Sequence, residues 1–286
     1  LAQVDRTLGE VPREAAVAAV RNLATRFLAE DSSESDLVCL AGRDDPHKLG
    51  LDLLLEALAR IARKEGRRIV LFVVIPAPHA GLRRELRDRL PVPLQELHGA
   101  VGHTTHALLE PERDPVRALA LERGLDNAPG GRVRVIYLPA EPARSDGLLD
   151  LPYESFLQAM DLGCFPSFYQ PWGYLAHMSL AAGVPTIATD RTGLGRWLLA
   201  QGNFSEPTVQ VVRREDVPDE QAAASLADAV EEALRTRRER RDAAVAARRA
   251  VAALDWPGLV GGRLAVVERA IAASAGRGGH VPPRKA

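Results

Sequence analysis

The sequence predicts an α/β protein built on a parallel sheet with helices on both faces. Short continuous apolar runs recur along the chain: "DLVCLAG" (36–42), "RRIVLFVVIP" (67–76) and "RVRVIYLP" (132–139). Runs of that kind are what strands covered on both faces require. Amphipathic stretches and turn residues lie between them, the pattern of a sheet whose strands are joined by crossover helices. The chain of 286 residues, 46% hydrophobic and 26% charged, has the composition of a globular protein with one large core or two modest ones.

The elements follow in order. "REAAVAAVRNLATRFLAE" (13–30) reads as a helix and "DSSES" after it as a polar break. The strand at 36–42 ends in Gly42, with a loop beyond. "LDLLLEALARIARKEG" places Leu51, Leu54, Leu58 and Ile61 on one helical face and stops at Gly66, read as its C-cap. After the second strand, residues 76–131 carry Pro, His and charge clusters and little periodicity. Regularity returns with the strand at 132–139. A loop to Asp150 then leads to helix "PYESFLQAM", strand "LGCFPS", a helix from about Leu175 and strand "VPTIATD" (184–190). From about Gln221 the chain is Ala/Arg/Glu-rich helix down to "LDWPGL", then a further helical stretch and the tail "GRGGHVPPRKA". We therefore expect a connecting helix and linker in 1–35, a parallel-sheet α/β domain in 36–220, and C-terminal helices and tail in 221–286.

The net charge of −1 supplies no field for nucleic acid or a membrane surface, and neither is expected as a partner. Cys39 and Cys164 both sit in apolar runs, as two buried thiols rather than a disulfide, which points to a reducing, cytoplasmic setting. No stretch approaches the ~18 apolar residues of a spanning helix, and the N-terminus carries no signal-peptide pattern. Leu1 rather than Met opens the sequence, so a piece of a longer protein is expected.

Three segments could carry chemistry. In "YQPWGYLAHM" (169–178) a strand hands over to a helix at Gly173. A glycine there lets a ligand approach the backbone, and the amides of Gly173, Tyr174 and Leu175 would face an anion at a helix N-terminus. The same residues also fit a plain strand–helix turn whose Trp172 and Tyr174 are core. In "AGRDDPHKLG" (41–50), Arg43 and Lys48 follow the first strand of the sheet, where two cations could neutralise a diphosphate; taken alone, such a pair is more often solvated surface. "TDRTGLG" (189–195) is a third candidate, a Gly-spaced turn after a strand that puts Gly193 forward as a donor-binding residue, although such spacing alone is weak evidence. All three fall on one predicted edge of the sheet. His98, His103 and His106 lack the spacing and carboxylate company of a zinc site, so no metal and no cofactor is expected. There is no G-x-S-x-G elbow and no Walker A loop.

Residues 151–195, "LPYESFLQAMDLGCFPSFYQPWGYLAHMSLAAGVPTIATDRTGLG", resemble the nucleotide-sugar-binding half of the glycogen synthases of animals and fungi. That family writes Y-E-E-F, then L-G-V-F-P-S-Y-Y-E-P-W-G-Y-T-P-A-E, then G-x-P-S-I-x-T-N-x-S-G-F-G. The likeness extends upstream through "DPVRALALERGLDN" and "AGRDDPHKLGLDLLLEALARI" and downstream to "RRERR" and "LDWPGLVGGR". It is diffuse around 76–100. The resemblance implies a B-type (GT-B) retaining glycosyltransferase with two Rossmann-like domains. Only the second, donor-binding domain has a counterpart here, so the chain alone is not expected to elongate glycogen. Its implied partners are UDP-glucose, or a related nucleotide sugar, and an α-glucan acceptor; a homo-oligomer is compatible with it.

Carried over by position, Arg43 matches the family's donor-phosphate arginine. Lys48 lies one residue before the phosphate lysine, whose place falls on Leu49. Tyr153 matches an aromatic that stacks on uracil, and the backbone of Gly173 and Tyr174 matches the diphosphate cradle. Gln170 and Met178 stand where the family has the two glutamates of an E-x7-E pair. The resemblance makes Gln170 a weaker partner for the donor sugar and Met178 a poor one for ribose hydroxyls. Those substitutions keep a second reading open, a catalytically silent relative that binds glucan, sugar phosphate or a protein. Arg237, Arg238, Arg240 and Arg249 fall on the family's glucose 6-phosphate-sensing arginine helix, a candidate allosteric site, while Ala244 and Ala246 replace two others. Half a cluster supports such a site only weakly, and a solvated basic helix face is the reading preferred.

Overall fold

The computed structural model describes residues 8, 10–43, 45–201, 208–235, 240–252, 254 and 256–275. Six parallel strands form the main sheet in the order β5-β2-β1-β6-β7-β8. They are β1 (Asp36–Ala41), β2 (Ile69–Val74), β5 (Val133–Leu138), β6 (Leu162–Cys164), β7 (Thr186–Thr189) and β8 (Val209–Val212). Every residue of β1, β2 and β5 is buried, which is why their sequences are unbroken apolar runs.

The two faces of the sheet feed two cores. Leu37, Cys39 and Ala41 of β1 face one, together with α1 (Arg13–Leu28), α6 (Tyr153–Gln158) and α7 (Tyr174–Ala181). Val38 and Leu40 face the other, with α3 (Leu51–Ala62), α5 (Pro115–Glu122) and α9 (Asp219–Arg235). This alternation within one strand is the period of two expressed as packing. Leu51, Leu54, Leu58 and Ile61 are fully buried, as their spacing predicts. Both cysteines are buried free thiols, and burial pushes their titration far up.

Gly66 is not the cap of α3. That helix ends at Ala62, with Arg63 as its C-cap. Gly66 instead lies under the Arg132 guanidinium, whose Nη2 would stand 2.4 Å from a Cβ. The irregular 76–131 region contains an antiparallel pair, β3 (His79–Leu82) and β4 (His106–Leu108), between them helix α4 (Arg84–Arg89), and then α5. Strand β8 was not legible in the sequence.

The outer edge of β5 is covered rather than left open. Tyr137 donates its amide to the His103 carbonyl (2.7 Å), and Thr105 donates to the Tyr137 carbonyl (3.0 Å). Buried Asn127, at φ 60°, closes the rest. Its Nδ2 donates to the carbonyls of Gly102 and Val135, and its Oδ1 accepts from the Val135 amide (2.7, 2.7 and 2.8 Å). At the other end of the chain lie α10 (Arg240–Ala252) and α11 (Trp256–Ala275). Among the described residues no helix is long and apolar enough to cross a membrane.

Candidate functional site

The strand order reverses direction between β1 and β6, and in open α/β sheets ligands settle outside the carboxyl ends of the strands at that point. A cleft of about 510 Å³ lies there. Gly42 and Arg43 reach it from the end of β1, Glu141 from the loop after β5, and Tyr153 and Glu154 from the first turn of α6. Ser167 and Gln170 reach it from the loop after β6, and Gly173, Tyr174 and Met178 from the start of α7. Arg43, Tyr153, Gln170, Gly173, Tyr174 and Met178, separated by up to 135 positions in sequence (178 − 43), therefore share one cavity.

Gly173 makes the turn. It has φ 97°, in the left-handed region that favours glycine, and a Cβ there would touch nothing closer than 3.6 Å, so backbone conformation and not space demands it. It is the N-cap of α7, and no side chain caps that helix. The first-turn amides and the positive end of the helix dipole thus face the cleft. Helix α7 is held close to the sheet because Gly163 of β6 has no side chain. A Cβ at 163 would stand 2.2 Å from the Ser179 Oγ, which accepts a 2.8 Å hydrogen bond from Thr186.

Gly193 and Gly195 serve the scaffold. A Cβ on Gly193 would lie 2.2 Å from the Pro171 carbonyl oxygen, and one on Gly195 2.0 Å from that of Thr189. The start of α8 (Gly193–Gln201) is pressed against the 170–172 turn, with Gly193 donating to the Gln170 carbonyl (3.2 Å) and Leu194 to that of Trp172 (2.6 Å). The Gly195 amide is taken by Thr192 Oγ1 at 3.0 Å. These three amides are spent inside the protein, and Gly193 is not among the cleft-lining residues, although Thr192 is.

Two other expected residues stand aside from the lining. Lys48, in the one-turn helix α2 (Pro46–Leu49), is exposed, and it is Leu49 that faces the cleft. Trp172 packs against the core, and its Nε1 donates to His177 Nδ1 at 3.2 Å. Tyr153 packs against the core beside Phe156, the ring centroids 6.3 Å apart and the planes 27° from parallel, while its hydroxyl is buried with no hydrogen-bond partner among the described residues. Burial pushes that phenol well up, so it stays protonated.

Arg43 is engaged by a residue the sequence did not single out. Its Nε donates to Glu141 Oε1 and its Nη2 to Glu141 Oε2, both at 2.9 Å. The Glu141 hydrogen bond and charge raise the Arg43 pKa further above its usual value. Glu154 is the second carboxylate of the cleft. Of the C-terminal arginines, Arg237 and Arg238 lie outside the described residues. Arg240 opens α10, and Arg249 is exposed near its end.

Comparison with known proteins agrees with this architecture. The sequence profile described as glycogen synthase matches residues 93–274, more than half of the chain. The liver glycogen [starch] synthase of Rattus norvegicus is 25% identical over 246 residues, covering 66% of this chain and 35% of the relative. The glycogen [starch] synthase isoform 2 of Saccharomyces cerevisiae is 26% identical over 284 residues, covering 76% of this chain and 40% of the relative. Among solved structures, the alpha,alpha-trehalose 6-phosphate synthase of Burkholderia multivorans superposes with a TM-score of 0.57 at 17% identity, over 95% of this chain and 50% of that one. The last likeness concerns the fold alone, a Rossmann-like parallel sheet of the GT-B glycosyltransferase kind. The chain thus spans well under half the length of the curated relatives it matches, and it belongs to the glycogen synthase family.

Proposed function

We propose that this chain is the donor-binding part of a glycosyltransferase that passes a glucosyl unit from a nucleotide sugar, UDP-glucose, to an α-glucan with retention of configuration. The observation that carries the reading is the meeting of Arg43, Tyr153, Gln170 and the uncapped start of α7 in one cleft at the switch point of the sheet. Family membership adds the reaction class.

In such a transfer the leaving diphosphate gathers negative charge as the glycosidic bond opens. Stabilising that charge with preorganised donors is the main work left to the protein. The α7 first-turn amides and the Arg43 guanidinium are such donors, one set from a fixed helix end and one from a side chain at the tip of β1. Tyr153 offers the base an aromatic face. Gln170 can hydrogen-bond a sugar hydroxyl but brings no charge to a developing cation, and the Met178 thioether accepts only weakly from a ribose hydroxyl. No metal is invoked in this reading.

The same two residues favour a second reading, a silent relative that binds a sugar phosphate or glucan without turnover, since both line the cleft. Amide-resolved NMR with uridine 5′-diphosphate and UDP-glucose separates the readings from no binding at all. Saturable shifts at Gly42, Gly173 and Tyr174 support a nucleotide site. Shifts elsewhere, or none, count against it, and transfer of glucose from UDP-glucose to a glucan primer by this chain joined to an acceptor-binding half distinguishes the enzyme from the silent binder.

A further inference from the structure

The Arg43–Glu141 pair closes the guanidinium in the way a ligand would. Nε and Nη2 are neighbouring donors of one fork, and Glu141 meets them with one oxygen each at 2.9 Å. A phosphate presents two oxygens to an arginine in the same bidentate manner. The carboxylate oxygens therefore stand where ligand phosphate oxygens would have to stand. The pair does not serve the core: the Arg43 side chain is 76% exposed and that of Glu141 38%, and both residues line the cleft.

The surroundings favour motion of the side chain over motion of the loop. Beyond Pro142 the loop is tied by the Asp146 carboxylate, which accepts from the amides of Ala143 (3.1 Å), Leu148 (2.8 Å), Leu149 (2.8 Å) and Asp150 (2.9 Å). Glu141 itself sits between this knot and the end of β5, between Ala140 and Pro142. Rotation about its own side-chain bonds is enough to free Arg43.

We infer that Glu141 is an internal stand-in for ligand phosphate, competing for Arg43 and so setting the affinity and charge preference of the cleft. The inference rests on the donor-site reading for its ligand. A diphosphate reaches the guanidinium only as Glu141 leaves it, because two anions cannot share the fork without repulsion. The exchange replaces one ion pair by another, so phosphate binding gains less than a free arginine would supply. A neutral sugar leaves the pair intact.

Calorimetric titration of uridine 5′-diphosphate, and separately of inorganic pyrophosphate, into the wild-type chain, Glu141→Gln and the double variant Glu141→Gln/Arg43→Ala tests this. The expected result is tighter binding of both anions by Glu141→Gln, about fivefold for an exposed pair, with the gain lost in the double variant. Glu141→Asp keeps the charge but is one methylene shorter and is expected to fall between. Matching thermal midpoints establish that the variants fold. Unchanged or weaker binding of both anions by Glu141→Gln overturns the competition and makes Glu141 a positioning residue for Arg43. If only pyrophosphate binds and gains from Glu141→Gln, the nucleotide reading fails and the competition stands. If neither anion binds any of these proteins, both fall.

Discussion

The Gly193 α-carbon faces the Pro171 carbonyl so closely that a Cβ would stand 2.2 Å from the oxygen. Two backbones, the 170–172 turn and the start of α8, are in contact there, and neither has a side chain that can rotate away. The turn that carries Gln170 and Gly173 into the cleft is thus set by the helix behind it.

Gly193→Ala should therefore displace the turn. We expect a loss of about 1–3 kcal/mol in stability, the range for forced overpacking, measured by urea unfolding. Ligand binding at the cleft should weaken as well, since the amides at Gly173 move with the turn. A variant as stable as the wild type and equally able to bind would contradict this coupling.

Asn127 supplies both a donor and an acceptor to Val135, doing for the edge of β5 what a seventh strand would do. Asn127→Ala leaves a buried amide and two carbonyls without that partner. The expected cost is about 2–3 kcal/mol, seen as a lower denaturation midpoint with cleft binding unchanged in the folded protein.

Two buried histidines make the protein sensitive to acid. Burial depresses the His106 pKa to about 4, with the neighbouring His79 adding to it and Asp146 opposing. Burial also lowers that of His103, against the opposing pull of its Leu125 carbonyl contact. Both imidazoles are neutral when folded and take up protons near pH 6.5 when unfolded. Their contribution to stability is complete above pH 6.5 and declines as pH falls from there towards 4. Melting temperatures measured across that interval should drop, and His106→Gln should flatten part of the drop. A flat profile in the wild type would contradict the burial of these rings.

Gln170→Glu and Met178→Glu return carboxylates to the two positions where the family pattern has them. If the cleft takes a nucleotide sugar, the Met178 change should strengthen uridine diphosphate binding through charge-assisted bonds to ribose, about tenfold or more. Gln170→Glu should raise the transfer rate once an acceptor-binding half completes the cleft, measured as glucose incorporated into a glucan primer. A Met178→Glu protein that folds but binds no better would argue that the ribose lies elsewhere.

Much of the fold was legible because its causes are local. The residues of β1, β2 and β5 are buried on both faces, so their apolar runs are unbroken, and α3 shows its buried stripe at helical spacing. Gly173 was legible for the same reason: a left-handed turn opening a helix leaves a glycine in the sequence. What failed to show depends on distance. Glu141 meets Arg43 across 98 positions and one intervening strand, and nothing in "LPAEPARSD" marks that. Gly193 fits a ligand glycine by its spacing, yet its need arises from a backbone brought up by the fold. Gly66 looked like a helix cap, and the Arg132 guanidinium explains it instead. Strand β8, "VQVV", is four residues with Gln210 among them, too short and too mixed for periodicity to resolve.

In the proposed donor site, Arg43 and the α7 amides act together on the phosphates of a nucleotide sugar. Calorimetric titration of uridine 5′-diphosphate into the wild-type chain and into Arg43→Ala tests it most directly. Saturable binding by the wild type, in the micromolar to millimolar range, and at least about tenfold weaker binding by the variant are expected. Equal affinity in the two proteins, or no binding by the wild type, would contradict it.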